Sequence, residues 1–265
     1  MAPVNMEPYC NYASSAEKSG VQSLKERIND SLESEAASSW LSDITLLRYL
    51  RARGGDVERA EQMLRKTFAW RSTTRPEQIR WEDVEQESRT GKLFILKHPD
   101  KSGRPVLVMR PRNENSSNHD SQIRNLIFMM ETVSFLADES GSVQITLLLD
   151  FEGYSLSNAP ALKTSRETLS ILQNHYPERM SKALLFRAPG IFNLFWKAIS
   201  PFIDPVTYKK IHFVDKKPAK EQEIMASHFH LDLLEPALGG SGEPAFDLDE
   251  YGSRMRNCDT RRCGE

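Results

Sequence analysis

The chain has 265 residues, 39% of them hydrophobic and 27% charged, with 35 basic against 37 acidic side chains and a formal charge of -2. That balance excludes a disordered polypeptide and argues against a nucleic-acid binder, which needs a clear basic excess. The length allows one sizeable core, alone or with a small accessory unit.

Residues 1–35 are rich in Ser, Ala, Asn and Glu with weak periodicity, and read as a flexible lead-in with one short helix near VQSLKERI. The opening MAPVNMEPYCNYASSAEKSG has no basic segment followed by an apolar one, and no window reaches the roughly 18 apolar residues of a membrane span. A soluble, cytoplasmic protein is expected. Cys10, Cys258 and Cys263 lie near the ends with no C-x-x-C, which suggests neither a disulfide framework nor a zinc site.

From Trp40 the pattern sharpens. Leu46, Leu47 and Leu50 fall at helical spacing, Gly54-Gly55 end that helix, and Asp56 is placed to cap VERAEQMLRKTFAWR, so residues 36–85 read as a helical subdomain. Between Leu46 and Arg80, nine basic residues stand against four acidic ones. Such a run is a solvated helical face or a contact for an anionic membrane surface.

After a connecting segment, WEDVEQESRTGK, short β-rich runs begin: LFILKH, PVLVMRP, QITLLLDF, ALLFRAP and KIHFV. Helical stretches alternate with them, namely SQIRNLIFMMETVSFLADE, APALKTSRETLSILQNH and the segment after Pro189. This order predicts an α/β protein in which the N-terminal helical subdomain is followed by a mixed, mostly parallel sheet flanked by helices. The continuously apolar ITLLLDF marks a strand buried on both faces. A further helix is expected over Pro218 to Leu234, LGGSGEP ends it, and residues 243–265 read as a polar tail carrying Arg254, Arg256, Arg261 and Arg262.

An α/β reading raises the question of catalysis. The chain has no G-x-S-x-G elbow, no G-x-x-x-x-G-K-[ST] loop and no G-x-G-x-x-G after a strand, so no catalytic residue, cofactor or metal is expected. His228 and His230 stand two apart, on different sides of a helix, with no third ligand suggested.

The stretch APGIFNLFWKAISPFIDP is unusual in a soluble chain. As a helix over Gly190 to Ser200 it has one polar stripe, Asn193, Lys197 and Ser200, and is otherwise covered by Ile191, Phe192, Leu194, Phe195, Trp196, Ala198 and Ile199. Such a helix is about 16 Å long, too short to cross a bilayer. It is either a core helix on the sheet or a lid facing something greasy, and prolines at both ends make it mechanically distinct.

LLRYLRARGGDVERAEQMLRKTFAWR, SGRPVLVMRP, LLLDFEG, QNHYPERMSKALLFRAPGIFNLFWKAISPFIDPVTYKKI and the closing LGG together resemble the CRAL-TRIO family, in its phosphatidylinositol-transfer, Sec-fourteen-like branch. The likeness runs from Leu46 to Gly240, and YPERM followed by DPVTYKKI is its most specific part. It implies a cavity for one lipid within residues 86–242, covered by a mobile gate helix comprising Ile191, Phe192, Leu194, Phe195, Trp196 and Ile199, with Phe202 just beyond. It also implies that the phosphatidylinositol head group is met by Arg53, Glu178, Thr207 and Lys210. Buried phosphate needs such charged and hydrogen-bonding partners.

The same resemblance places Leu96, Leu107, Ile145 and Leu147 where phosphatidylcholine carriers have hydroxyl side chains. Each missing hydrogen bond costs on the order of 1 to 3 kcal/mol, so phosphatidylcholine is expected to bind poorly and a second ligand to be less polar. The implied protein is a monomeric, non-enzymatic carrier of phosphatidylinositol, transiently bound to anionic membranes, or one that presents it to lipid-modifying enzymes. A carrier of a sterol or tocopherol-like compound, or a lipid-sensing regulatory module, stays open.

Overall fold

A computed structural model describes residues 13–29, 40–155 and 157–264. Cys10 and most of the expected lead-in lie outside the described residues. Helix α1 (Ser15–Ile28) is longer than the short helix expected there, because Ser14 and Glu17 form a reciprocal capping box at its start. Helices α2 (Asp43–Ala52) and α3 (Val57–Thr74) follow, α3 capped by the Asp56 side chain as its position predicts. The turn between them runs through Gly54 and Gly55 at φ +63° and +87°, with open space where each Cβ would stand, so the demand there is for backbone conformation. Leu24, Ile28, Leu46, Tyr49, Leu50, Ala60, Met63 and Leu64 give these helices a core of their own.

The expected connecting segment contains helix α4 (Trp81–Ser88), whose Trp81 is fully buried. Then come β1 (Leu93–Ile95), β2 (Val106–Met109), α5 (His119–Glu139), β3 (Ile145–Asp150), α6 (Leu162–His175), β4 (Met180–Phe186), α7 (Phe192–Ile199), α8 (Pro205–Lys209), β5 (Ile211–Phe213), α9 (Pro218–His228) and α10 (Leu248–Cys263). The strands form one sheet in chain order, with β1 antiparallel to β2 and every other pair parallel. The protein is thus α/β, with N-terminal helices and a mixed, mostly parallel sheet flanked by helices. Among the described residues no helix is long and apolar enough to cross a membrane.

Pairing aligns Leu147 with Leu107 and Ala183, and Leu149 with Met109 and Leu185, so these residues share one face of the sheet. Val108, Leu148 and Leu184 share the other and are fully buried, which is why β3 reads as an unbroken apolar run.

The residues read as a polar tail are a correction. Helix α10 buries Tyr251, Met255 and Cys258, spaced i, i+4 and i+7, while its arginines occupy the remaining surface. The Tyr251 hydroxyl accepts a hydrogen bond from the Ile95 amide at 3.0 Å, and Asp259 accepts one from the Trp81 amide at 2.7 Å. A three-residue apolar stripe is easily lost in a segment whose average is strongly polar.

Candidate functional site

A cavity of about 860 Å³ lies over the first face of the sheet. Met109, Ile145, Leu147, Leu149, Ala183, Leu185 and Ile211 form its floor, α5 contributes Leu126 and Met130, and α6 contributes Leu169 and Leu172. Helix α7 covers it. Phe192, Phe195, Trp196 and Ile199, on one helical face, line the cavity, and Phe202 follows in a 3-10 turn over Ser200–Phe202. Leu194 is 62% exposed and Ile191 is exposed as well, so both point to solvent. The helix is shorter than the expected Gly190 to Ser200 span, and it is apolar on both its inner and outer faces.

Arg53, Glu178, Thr207 and Lys210 all line this cavity, although 157 positions separate the first from the last. Arg53 is the C-cap of α2, placed there by the glycine turn that follows. Its guanidinium donates only to the Ala52 carbonyl, at 3.1 Å, and has no carboxylate partner among the described residues. Lys210 caps α8 and its Nζ lies 3.0 Å from Glu178 Oε2. Asp204, the N-cap of α8, accepts from the Val206 and Thr207 amides at 3.0 and 2.9 Å. Burial alone would raise its pKa, but the Thr207 side chain and these amides outweigh that and hold the carboxyl below its ordinary range.

Glu178 occupies left-handed backbone at φ +55°, costly for a residue with a Cβ unless its surroundings impose it. Those surroundings are the N-terminal helices. Arg48 donates to Pro177 O at 3.3 Å, Tyr49 to His175 O at 3.2 Å, and Thr67 to Asn174 O at 3.1 Å. The segment that presents Glu178 is therefore clamped by α2 and α3.

Two of the four positions expected to replace phosphatidylcholine hydroxyls, Ile145 and Leu147, do line the cavity. Leu107 shares their face of the sheet but is 1% exposed and absent from the wall, where α5 packs on β1 and β2. Leu96 is a correction. It follows Ile95 by one residue, so the strand's alternation sends it the other way, into a smaller pocket of about 490 Å³ beside Phe229 and Phe246.

The basic run of the helical subdomain is mostly internal or paired. Arg48 is buried, Arg71 binds the largely covered Glu131 at 2.9 and 3.0 Å, and Arg51, Arg59 and Arg65 pair with Glu17, Asp56 and Glu61. This is the structural reading of that run rather than a steering surface.

The structure adds polar residues that sequence reasoning missed. Lys92, Glu114, Gln122 and Asn125 line the cavity where β1 begins and β2 ends. Lys92 pairs with Glu87 and, at 2.5 Å, with Glu114, while Ser88 Oγ donates to Asn125 Oδ1 at 2.8 Å. The available signal was the pair of polar turns QESRTGK and RPRNEN, which antiparallel pairing of β1 and β2 brings together. Tyr154, 6% exposed, also lines the cavity, and its enclosed hydroxyl has no hydrogen-bond partner among the described residues. Its ring meets Phe151, Phe192 and Phe195 with centroids 5.5, 5.6 and 6.2 Å away. Desolvation pushes the Tyr154 hydroxyl pKa up.

A largely apolar cavity with cations in its lining and a lid of aromatic residues suits one amphiphilic molecule. A CRAL-TRIO domain-containing protein of Schizosaccharomyces pombe is 33% identical over 85% of this chain and 21% of its own length. Phosphatidylinositol transfer protein PDR17 of Saccharomyces cerevisiae is 34% identical over 70% of this chain and 56% of its own length. The chain thus spans about a fifth and just over half of these two curated relatives. The crystal structure of Sfh5 superposes with a TM-score of 0.63 at 18% identity, covering 76% of this chain and 81% of that one, and supports the fold. Residues 88–240 match the CRAL/TRIO domain and residues 20–66 the CRAL/TRIO N-terminal domain, and the chain belongs to the CRAL-TRIO family.

Proposed function

We propose that this chain is a lipid carrier that takes phosphatidylinositol, with the phosphate against Arg53 and Lys210, the inositol hydroxyls against Glu178 and Thr207, and the acyl chains under α7. The observation that carries the reading is Arg53, a cation without a carboxylate partner among the described residues, lining the same apolar cavity as the Lys210–Glu178 pair. A phosphodiester arriving there gains two charged donors and displaces no ion pair of Arg53. The name of the budding-yeast relative, a phosphatidylinositol transfer protein, points the same way.

No bond is made or broken. Exchange takes place at an anionic membrane surface, where α7 swings outward, one lipid leaves and another enters. The outer surface suits this. Ile191 and Leu194 of the lid segment, Phe202, Val206 and Tyr208 near α8, and Phe213 on β5 are exposed. The Trp196 ring joins two of them, lying 5.8 Å from Tyr208 and 5.4 Å from Phe213. Exposed Lys197 and Lys209 lie in the same segments and suit lipid phosphates.

The direct test is transfer of labelled phosphatidylinositol between vesicles by Arg53→Gln and Lys210→Ala variants. Strong loss with unchanged thermal unfolding supports the assignment, and undiminished transfer in both removes it.

A further inference from the structure

The smaller pocket beside Leu96, about 490 Å³, takes no part in the lipid reading. It lies on the far face of the sheet. Phe94 pairs with Val108 on the face opposite the cavity floor, Leu96 follows two residues on, and the loop from Phe229 to Phe246 closes the other side. The lid and α8 line the cavity instead, and β5 is the edge strand at the opposite end of the sheet.

The groove is firmly built. Leu96, Phe229, Leu234, Ala245 and Phe246 line it, and the Phe246 ring packs on Phe94 and Tyr251 with centroids 5.4 and 5.1 Å away. The Ser241 and Gly242 amides donate to the Leu231 and Leu234 carbonyls at 2.7 and 2.8 Å, and the Ala245 amide donates to the buried Glu235 carboxylate at 2.8 Å. Leu233, which also lines the groove, is 47% exposed. An apolar floor inside a charged rim is the anatomy of a protein-binding surface.

Two features define the occupant. Ile95 faces away from β2, and its amide and carbonyl are taken by the Tyr251 hydroxyl and the Arg254 guanidinium, so an extended peptide cannot add to the sheet there. Whatever enters does so with side chains, as the apolar face of a helix does. The rim then selects charge. Lys97 is matched to Glu250 at 2.9 Å, and Arg254 is turned onto the Ile95 carbonyl and the Tyr251 ring. Asp232, Glu243 and Asp247 line the same groove and form no ion pair among the described residues. Three unmatched carboxylates around apolar side chains call for cations.

We propose that this groove docks a lysine- or arginine-bearing amphipathic helix of a partner protein, its apolar side chains on Phe229 and Phe246 and its cations against Asp232, Glu243 and Asp247. Because the groove and the lid lie on opposite faces of the sheet, the partner stays bound while the lid opens at a membrane. The proposal does not depend on which lipid the cavity holds.

The probe is a model helix of about 18 residues with leucines along one face and lysines along the other, titrated into the full chain without vesicles. A peptide of the same composition with its leucines dispersed is the control, and it binds at least about tenfold more weakly. Asp232→Lys combined with Glu243→Lys weakens the model helix by about tenfold and leaves thermal unfolding unchanged, since both side chains are exposed. A photoreactive group at position 233 captures the bound helix, and one at position 194 on the lid does not. Equal affinity for the two peptides, indifference to the charge reversals, or capture only at position 194 overturns the proposal. So does self-association of the chain that Leu233→Glu abolishes, which assigns the groove to a second copy, or loss of liposome co-sedimentation in that variant, which assigns it to a membrane.

Discussion

The Trp70 indole lies flat on the His175 imidazole, with ring centroids 4.2 Å apart and planes 5° from parallel. This stack joins α3 to the end of α6, three residues before Glu178, and so belongs to the clamp that holds the candidate head-group wall. Desolvation, and then the Arg71 charge, push the His175 pKa down to about 4 from its ordinary 6.5.

A pH dependence follows from that stack. The folded His175 stays neutral while the unfolded one gains its proton near pH 6.5, so its contribution is complete above that value and is lost as pH falls towards about 4. The loss is on the order of 1 kcal/mol, discounted because the ring is only partly buried. Urea unfolding of the wild type and of His175→Phe across this window checks it. The wild type shows the steeper decline, and equal slopes count against the clamp's titration.

Tyr154→Phe keeps the ring contacts with Phe151, Phe192 and Phe195 and removes only a hydroxyl without a partner among the described residues. It should stabilise the lipid-free protein by about 1 kcal/mol, since an enclosed unmet hydroxyl is a net loss. Calorimetry of delipidated protein reads this as a higher Tm, and a lower Tm means that the hydroxyl has a partner in solution.

Met255→Ala tests whether the C-terminal helix belongs to the core. Met255 is fully buried, so truncation costs about 2 to 5 kcal/mol. A change within 0.5 kcal/mol, the range typical of exposed positions, would show that α10 detaches readily.

Leu194→Glu tests the outer face of the lid. The side chain is 62% exposed, so unfolding should shift little, whereas co-sedimentation with anionic liposomes should fall several-fold. Undiminished sedimentation places the membrane contact elsewhere.

Much of this arrangement was legible in the residue order. Gly54-Gly55 and Asp56 marked the α2–α3 turn by their own backbone and capping chemistry, and the apolar run of β3 announced a strand covered on both faces. The motif resemblance picked out Arg53, Glu178, Thr207 and Lys210, which line the same cavity, where no local pattern could link them because they come from three separate segments. What escaped was set by pairing and by narrow faces. Leu96 lies one residue past the end of β1, where alternation reverses its direction. The stripe of Tyr251, Met255 and Cys258 was diluted by the arginines around it. Lys92 and Asn125 became neighbours of one cavity only when α4, α5 and the β1–β2 pair closed together, and Glu178's left-handed backbone is imposed by contacts from distant helices.

Mass spectrometry of the lipid that co-purifies with the natively folded protein tests the central claim most directly. The account predicts phosphatidylinositol as the bound phospholipid, reduced in Arg53→Gln and Lys210→Ala. Abundant phosphatidylcholine with no inositol lipid, or a cavity that carries no lipid at all, would contradict it.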